Sequence, residues 1–357
     1  MLAYYRYMKF TSKQLVDEFS KLIIKHAGKS VEFSHTAEPK NANKQSLVFV
    51  SKGQKLPKQA AIIVTTEEIF EAHSGSSTAH MIAVADVRMA MALMKQSYQD
   101  YDSSDQEWRA IHDSAVIHPS ATMGKDCRIG PNVVVGKNVS LGDRVFIRAG
   151  AVVEHDAEIG NDSVVHANAN IGYGCILGKN VIVKANSVIG GEGFGFAQDD
   201  DHKYHRVPHT GIAVLEDDVR IGSCSCVDRA TFGKTIVEHG TKVDNLVHIA
   251  HNCVIGENTI LISQTGIAGS TVLGKRVICS GQTGMLDHKT VADDVVLVHR
   301  AAIIADVPEP GMYGGNPLLP YREHMKRRSL NKKIKNLEQK VAELRSLIEQ
   351  EEHSDEN

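Results

Sequence analysis

Stepping six residues at a time from Ile111, the chain presents Ile117, Met123, Ile129, Val135, Leu141, Ile147, Val153, Ile159, Val165, Ile171, Leu177, Val183 and Ile189, fourteen apolar positions without a break. Gly follows eight of them, and the residue four places on, from Ala115 to Ser187, is Ala, Cys, Val or Ser at every step. The register resumes at Leu215, Ile221 and Val227, slips by four residues, and runs again from Val237 to Ile303, making 29 hexads. A period of six fits neither a helix at about 3.6 residues per turn nor a strand alternating between hairpins. It predicts a coil with three flat sides, one hexad to a side, whose aliphatic residues fill a prism. The fold expected is mainly β, a left-handed parallel β-helix. The Gly beside each inward residue is read as serving tight corners. With strands about 4.8 Å apart, nearly ten coils give a prism about 45 Å long.

Insertions into such repeats gather on a binding face. The larger one, 191–213 (GEGFGFAQDDDHKYHRVPHTGIA), is rich in Gly, aromatics and His. The smaller is the slip around Phe232–Thr235. The β-helix is assigned to 111–307, and residues 1–98, which lack the hexad, to a small α/β domain. Helices are expected there over Ser12–His26 and Val84–Ser97 and a strand over Ala60–Thr65, with 99–110 as linker. The extension 308–357 contains a helix predicted over 321–350 and a disordered acidic tail. Along it Leu330, Ile334, Leu337, Val341, Leu344 and Ile348 alternate spacings of four and three. That heptad seam predicts association with copies of the same chain, the alternative being a helix packed on its own subunit.

Composition narrows the function. A net charge of −3 gives no basic footprint for nucleic acid. The opening MLAYYRYMKF does not read as a signal peptide, and no apolar run reaches the roughly 18 residues of a membrane span. A cytoplasmic protein is expected. The six cysteines form no CxxC pair, and Cys127, Cys175, Cys253 and Cys279 fall at inward places where a thiol acts as a small hydrophobe.

Eighteen histidines need sorting. His112, His118 and His166 follow inward aliphatics and read as solvated corner residues. His202, His205 and His209 lie in the large insertion, where ligand binding and a polar loop are equal readings. The segment DNLVHIAHN (244–252) stands apart. His251 on a rigid edge, with Asp244 and Asn245 one side away and Asn252 next to it, suits an oriented general base. Gly269, eighteen residues on, should stack over His251 and leave open space beside its ring. His288 lies two coils and one residue beyond, roughly 10 Å away, too far for a mutual hydrogen bond. A zinc site from His248 and His251 with His239 or His288 is disfavoured, because i, i+3 residues on a β-coil point in different directions. No metal and no cofactor are expected.

The motifs VIGGEGFGFA (188–197), the VP of HRVPHTG (205–211), IGSCSCVDRATF (221–232), VDNLVHIAHN (243–252), GIAGST (266–271), GQTGMLDH (281–288) and EPGMYGGNPLLPYRE (309–323) go further. Through them nearly the whole chain resembles the UDP-3-O-(3-hydroxyacyl)glucosamine N-acyltransferases of lipid A biosynthesis, within the hexapeptide-repeat acyltransferases. The resemblance implies a homotrimer with active sites between subunits. It implies transfer of a 3-hydroxyacyl group from acyl carrier protein to the 2-amino group of a UDP-sugar. His251 would be the base, and His288 would contact the substrate or stabilise charge at the reacting carbonyl. Asp244, Asn245, Asn252 and Gly269 would line the substrate site, and Phe49 would stack on uracil. The chain departs from the family pattern at Asp287, where Gly is usual, and at His248 and Ala230, where Gln and Gly are usual. Lys52 and Lys55 replace the Asn and Tyr that accompany the uracil-stacking Phe, and could attract phosphates instead. Two alternatives stay open: a related acyltransferase that O-acylates or takes another nucleotide amino sugar, and a non-catalytic binder of the carrier protein.

Overall fold

The computed structural model describes residues 10–99, 108, 110–316 and 318–354, so most of the expected linker lies outside the described residues. Chain contacts divide it into two units, Met1–Asp105 and Gln106–Asn357.

The first unit is a five-stranded sheet in the order Ile23–Ala27, His80–Val84, Ile62–Thr65, Ser46–Val50, His35–Thr36. Its first pairing is antiparallel and the other three are parallel. Helices α1 (Ser12–Glu18) and α3 (Val87–Gln99) cover one face through Leu15 and Met94, and α2 (Glu67–His73) covers the other through Phe70. The helix expected over Ser12–His26 is therefore half helix and half strand. A capping box between Thr11 and Gln14 starts α1, the chain turns after Glu18, and Ile23–Ala27 pairs with His80–Val84. The β-branched Ile23 and Ile24 favour the sheet edge over a longer helix. Val84 ends a strand rather than beginning α3.

The second unit is the parallel β-helix that the hexads predict. Two-residue strands stack eighteen residues apart on three faces: Ile129 on Ile147 on the first, Val135 on Val153 on the second, Leu141 on Ile159 on the third. The inward residues from Ile129 to Ile303 are buried, each full side-chain burial contributing about 1.5–3 kcal/mol. Cys127, Cys175, Cys253 and Cys279 are free and buried among them.

The corners are made differently from the expectation. The left-handed backbone falls three residues after the inward one, often on Asn and Asp such as Asn132, Asn138 and Asp156, whose short side chains tolerate it. The Gly directly after the inward residue serves another purpose. A Cβ on Gly136 would lie 2.7 Å from the His155 backbone nitrogen, so Gly there lets successive coils approach.

Both interruptions leave the helix at one corner, between the second and third faces. Ile189 stacks on Val227 across the large insertion, and Val227 stacks on Ile249 across the slip. His251 follows Ile249 at that same corner on the next coil. After the last coil, Gly311–Gly314 and Leu319–Pro320 lead into α4 (Tyr321–Ser354), four residues longer than the expected helix, and 355–357 of the expected acidic tail lie outside the described residues. On α4, Leu330, Ile334, Leu337, Val341 and Leu344 are 48–59% exposed, so the seam is not packed on its own unit.

Candidate active site

Three consecutive coils build one corner. On the first, residues 191–211 leave as a hairpin in which Phe196–Gln198 pairs with Tyr204–Arg206. On the second, the slip turns Phe232 out to solvent while Arg229 stays buried. On the third stands His251.

Asn252, in the left-handed region at φ 60, ties the second and third coils together. Its backbone N–H donates to Thr235 Oγ1 at 2.8 Å, its Nδ2 donates to the Phe232 carbonyl at 3.0 Å, and its Oδ1 accepts from the Thr231 N–H at 3.0 Å. The amide has only one orientation that satisfies these partners. Oδ1 also lies 3.1 Å from His251 Nδ1. An oxygen there can only accept, so Nδ1 carries the proton and Nε2 carries the lone pair.

Gly269 lies against the His251 ring. A Cβ on it would come within 2.5 Å of His251 Cε1 and 2.7 Å of Nε2. The open space expected beside the ring is thus filled by the ring itself, packed on the Gly269 backbone. The Gly269 carbonyl accepts from the His288 N–H at 3.0 Å, which sets His288 one coil further on, with its imidazole 73% exposed. His288 stacks over Asn252 and Ser270, and Asp287 over Gly269 and His251.

Asp244 and Asn245 stand at the other corner of the second face. Their side chains accept from the Ser263 N–H at 3.1 Å and the Ser223 N–H at 2.8 Å, bracing neighbouring coils. Within one chain they do not reach His251, and Asn252 holds its ring instead. His248 does not join His251 either. It points out from its strand, and its Nε2 lies 3.2 Å from Asp228, whose carboxylate raises the imidazole pKa against the opposing effect of burial.

Residues not singled out from the sequence complete the corner. Arg229 is 2% exposed and donates to the carbonyls of Gly190, Gly211 and Tyr173, with its guanidinium 3.4 Å from the Tyr173 ring centroid. Beside it lies a cavity of about 380 Å³ bordered by Glu154, Tyr173, Glu192, Arg206 and His209. The three histidines of the insertion separate. His205 pairs with Asp199 in the open and His202 is exposed, whereas His209 is buried against His251. The GEG run and Pro208 flanking that loop are the signals that it packs tightly.

In the first unit, Phe49 is half-buried on the strand Ser46–Val50, against the cluster of Leu15 and Leu47. Lys52 Nζ lies 3.1 Å from Glu68, and Lys55 is exposed.

Residues 111–193 match the family model described as the GMPPB C-terminal domain. The UDP-3-O-acylglucosamine N-acyltransferase of Methylococcus capsulatus is 42% identical over 353 residues, covering 95% of this chain and 99% of that one. The protein of the same name from Syntrophotalea carbinolica is 46% identical over 170 residues, 46% of this chain and 49% of that one. Among solved structures, a UDP-N-acetylglucosamine acyltransferase from Campylobacter jejuni is 25% identical, with a TM-score of 0.47 over 59% of this chain and 73% of that one. The hexad prism and the near full-length relative place the protein among the hexapeptide-repeat acyltransferases. The chain belongs to the UDP-3-O-acylglucosamine N-acyltransferase family.

Proposed function

We propose that the protein transfers a 3-hydroxyacyl chain from acyl carrier protein to the 2-amino group of a UDP-3-O-acylglucosamine in lipid A biosynthesis, with His251 as general base. The Nε2 lone pair takes a proton from the amine as its nitrogen attacks the thioester carbonyl. The C–N bond forms, the C–S bond breaks, and the leaving carrier sulfur departs as a thiol with the proton that His251 took from the amine. A neutral imidazole with a free ring nitrogen is suited to that task. The observation that carries the reading is the Asn252 amide, whose fixed orientation leaves Nε2 free.

His288, on a coil about 10 Å further along the same corner, contacts the substrate beyond the reacting centre. Phe49 offers one face to the uracil, and Lys52 and Lys55 offer charge to the diphosphate. The working form is a homotrimer. Asp244 and Asn245 stand one side away from His251, so a neighbouring subunit is what can bring such a corner against it. The uncovered seam of α4 supplies the apolar surface that would hold the copies together.

The test is the chemistry of the product. The enzyme is given carrier-bound 3-hydroxyacyl donor with UDP-3-O-acylglucosamine or UDP-N-acetylglucosamine, and the products are treated with mild alkali. A new acyl group that survives alkali on the first acceptor supports N-acylation. A group lost to alkali marks an O-acyltransferase, and binding of the carrier protein without transfer marks a non-catalytic homologue.

A further inference from the structure

His209 is 3% exposed, and its Nδ1 lies 2.9 Å from the Val207 carbonyl. A carbonyl only accepts, so Nδ1 donates and Nε2 bears the lone pair. That Nε2 is buried without a hydrogen-bond partner among the described residues. The ring meets His251 edge to face, with centroids 4.9 Å apart and planes at 64°. The start of the insertion closes over both. A Cβ on Gly193 would lie 2.7 Å from His209 Cδ2 and 3.0 Å from His251 Cβ, so only glycine fits there.

A buried acceptor left unpaired is destabilising and calls for an explanation. The insertion spends its Gly-rich start on holding this one beside His251. A proton on His209 Nε2 would find nothing to accept it among the described residues. On the proposed reading of His251 as base, the ring next to it gains a positive charge each time it takes a proton. A neutral imidazole with a bare lone pair favours that charge, and it costs no reorganisation because its position is fixed in advance.

We propose that His209 is a positioning residue for His251: it wedges the imidazole against Gly269 and stabilises its protonated form. This rests on the reading of His251 as the base. The charged or titratable groups on the elements packed around this corner include Asp228, Arg229, Lys234 and His248 on the preceding coils and strand, Cys253 on the coil of His251, Glu192, Asp199, His205 and Arg206 on the insertion, and Asp287 and His288 beyond Gly269. All of them are retained in the variants below.

The test compares the wild-type protein with His209→Phe and His209→Met, which fill the space without a lone pair, and with His209→Gln, which returns an acceptor. The first reading is the pH dependence of diethylpyrocarbonate modification at His251, followed by site-resolved mass spectrometry. It needs no substrate, so it stands or falls apart from the choice of acceptor. The midpoint should fall by about half a pH unit or more in the Phe and Met variants, because a favourable partner of the charged form is lost. It should return toward wild type in the Gln variant. The second reading is turnover, where the Phe and Met variants should lose about tenfold in kcat with KM within about twofold, the pattern of a lost transition-state interaction. Whichever of Phe and Met melts cooperatively near wild type is the one read. An unchanged midpoint in that variant, or a Gln variant no better than it, overturns the proposal.

Discussion

Asn252 Oδ1 lies 3.1 Å from His251 Nδ1, and this contact decides which nitrogen of the imidazole is free to take a proton. Oδ1 also accepts from the Thr231 N–H and Nδ2 of the same amide donates to the Phe232 carbonyl, both at the slip in the preceding coil. The break in the repeat thereby becomes the device that fixes the tautomer of the proposed base.

Asn252→Ala removes that device. With the tautomer and the ring released, kcat should fall by about 100-fold or more, the order seen when a base loses its orienting partner. Stability should also drop by about 1–3 kcal/mol, from the lost side-chain bonds and the left-handed backbone. Asn252→Gly, which accepts the backbone freely, separates the two effects. It should recover part of the melting temperature and none of the activity.

Gly269→Ala puts a methyl within 2.5 Å of the His251 ring. The ring must move, and a displacement of about 1 Å at the reacting centre costs about 100-fold in rate. Steady-state kinetics should show that loss in a protein that still melts cooperatively. An active Gly269→Ala would mean the ring is not held where it acts.

His248 gives the pH dependence a sign. Asp228 raises the imidazole pKa above its ordinary value while burial opposes the shift. A raised folded pKa stabilises the fold below the unfolded value of about 6.5, and the effect is lost as pH rises through the folded value. The pair is half-exposed on the histidine side, so the effect should stay below about 1 kcal/mol. Melting curves of His248→Gln should lie below wild type near pH 6 and converge toward it near pH 8. A gap that widens with pH would contradict the pairing.

The seam on α4 predicts assembly. Leu337→Glu with Leu344→Glu places like charges in the uncovered apolar stripe. Sedimentation should show the variant shifted toward smaller species than wild type, with activity falling alongside if the site forms between subunits.

The β-helix was legible because its period is covalent fact: every sixth residue must be apolar and small residues must follow, whatever the rest of the chain does. His251 was legible from DNLVHIAHN for the same reason, since the repeat places each letter on a known corner. What the repeat does not encode is the identity of its hydrogen-bond partners. Asp244 and Asn245 read as orienting groups, yet their oxygens are taken by backbone amides of adjoining coils. His209 lay unsorted among three loop histidines, because burial in an insertion is a property of how the hairpin folds back. The corner glycines were read as turn formers, whereas the close approach of the next coil requires them. In the first unit, Ile23–Ala27 followed too closely on a helix to be separated without knowing its partner strand.

The central claim is that His251 Nε2 is the base of an acyl transfer to an amine. The most direct measurement is transfer of a 3-hydroxyacyl group from acyl carrier protein to UDP-3-O-acylglucosamine by wild type and His251→Ala, with both proteins shown to melt alike. Transfer by wild type and a loss of at least about 100-fold in the mutant is the predicted result. Equal transfer by the two proteins, or none by folded wild type, would contradict it.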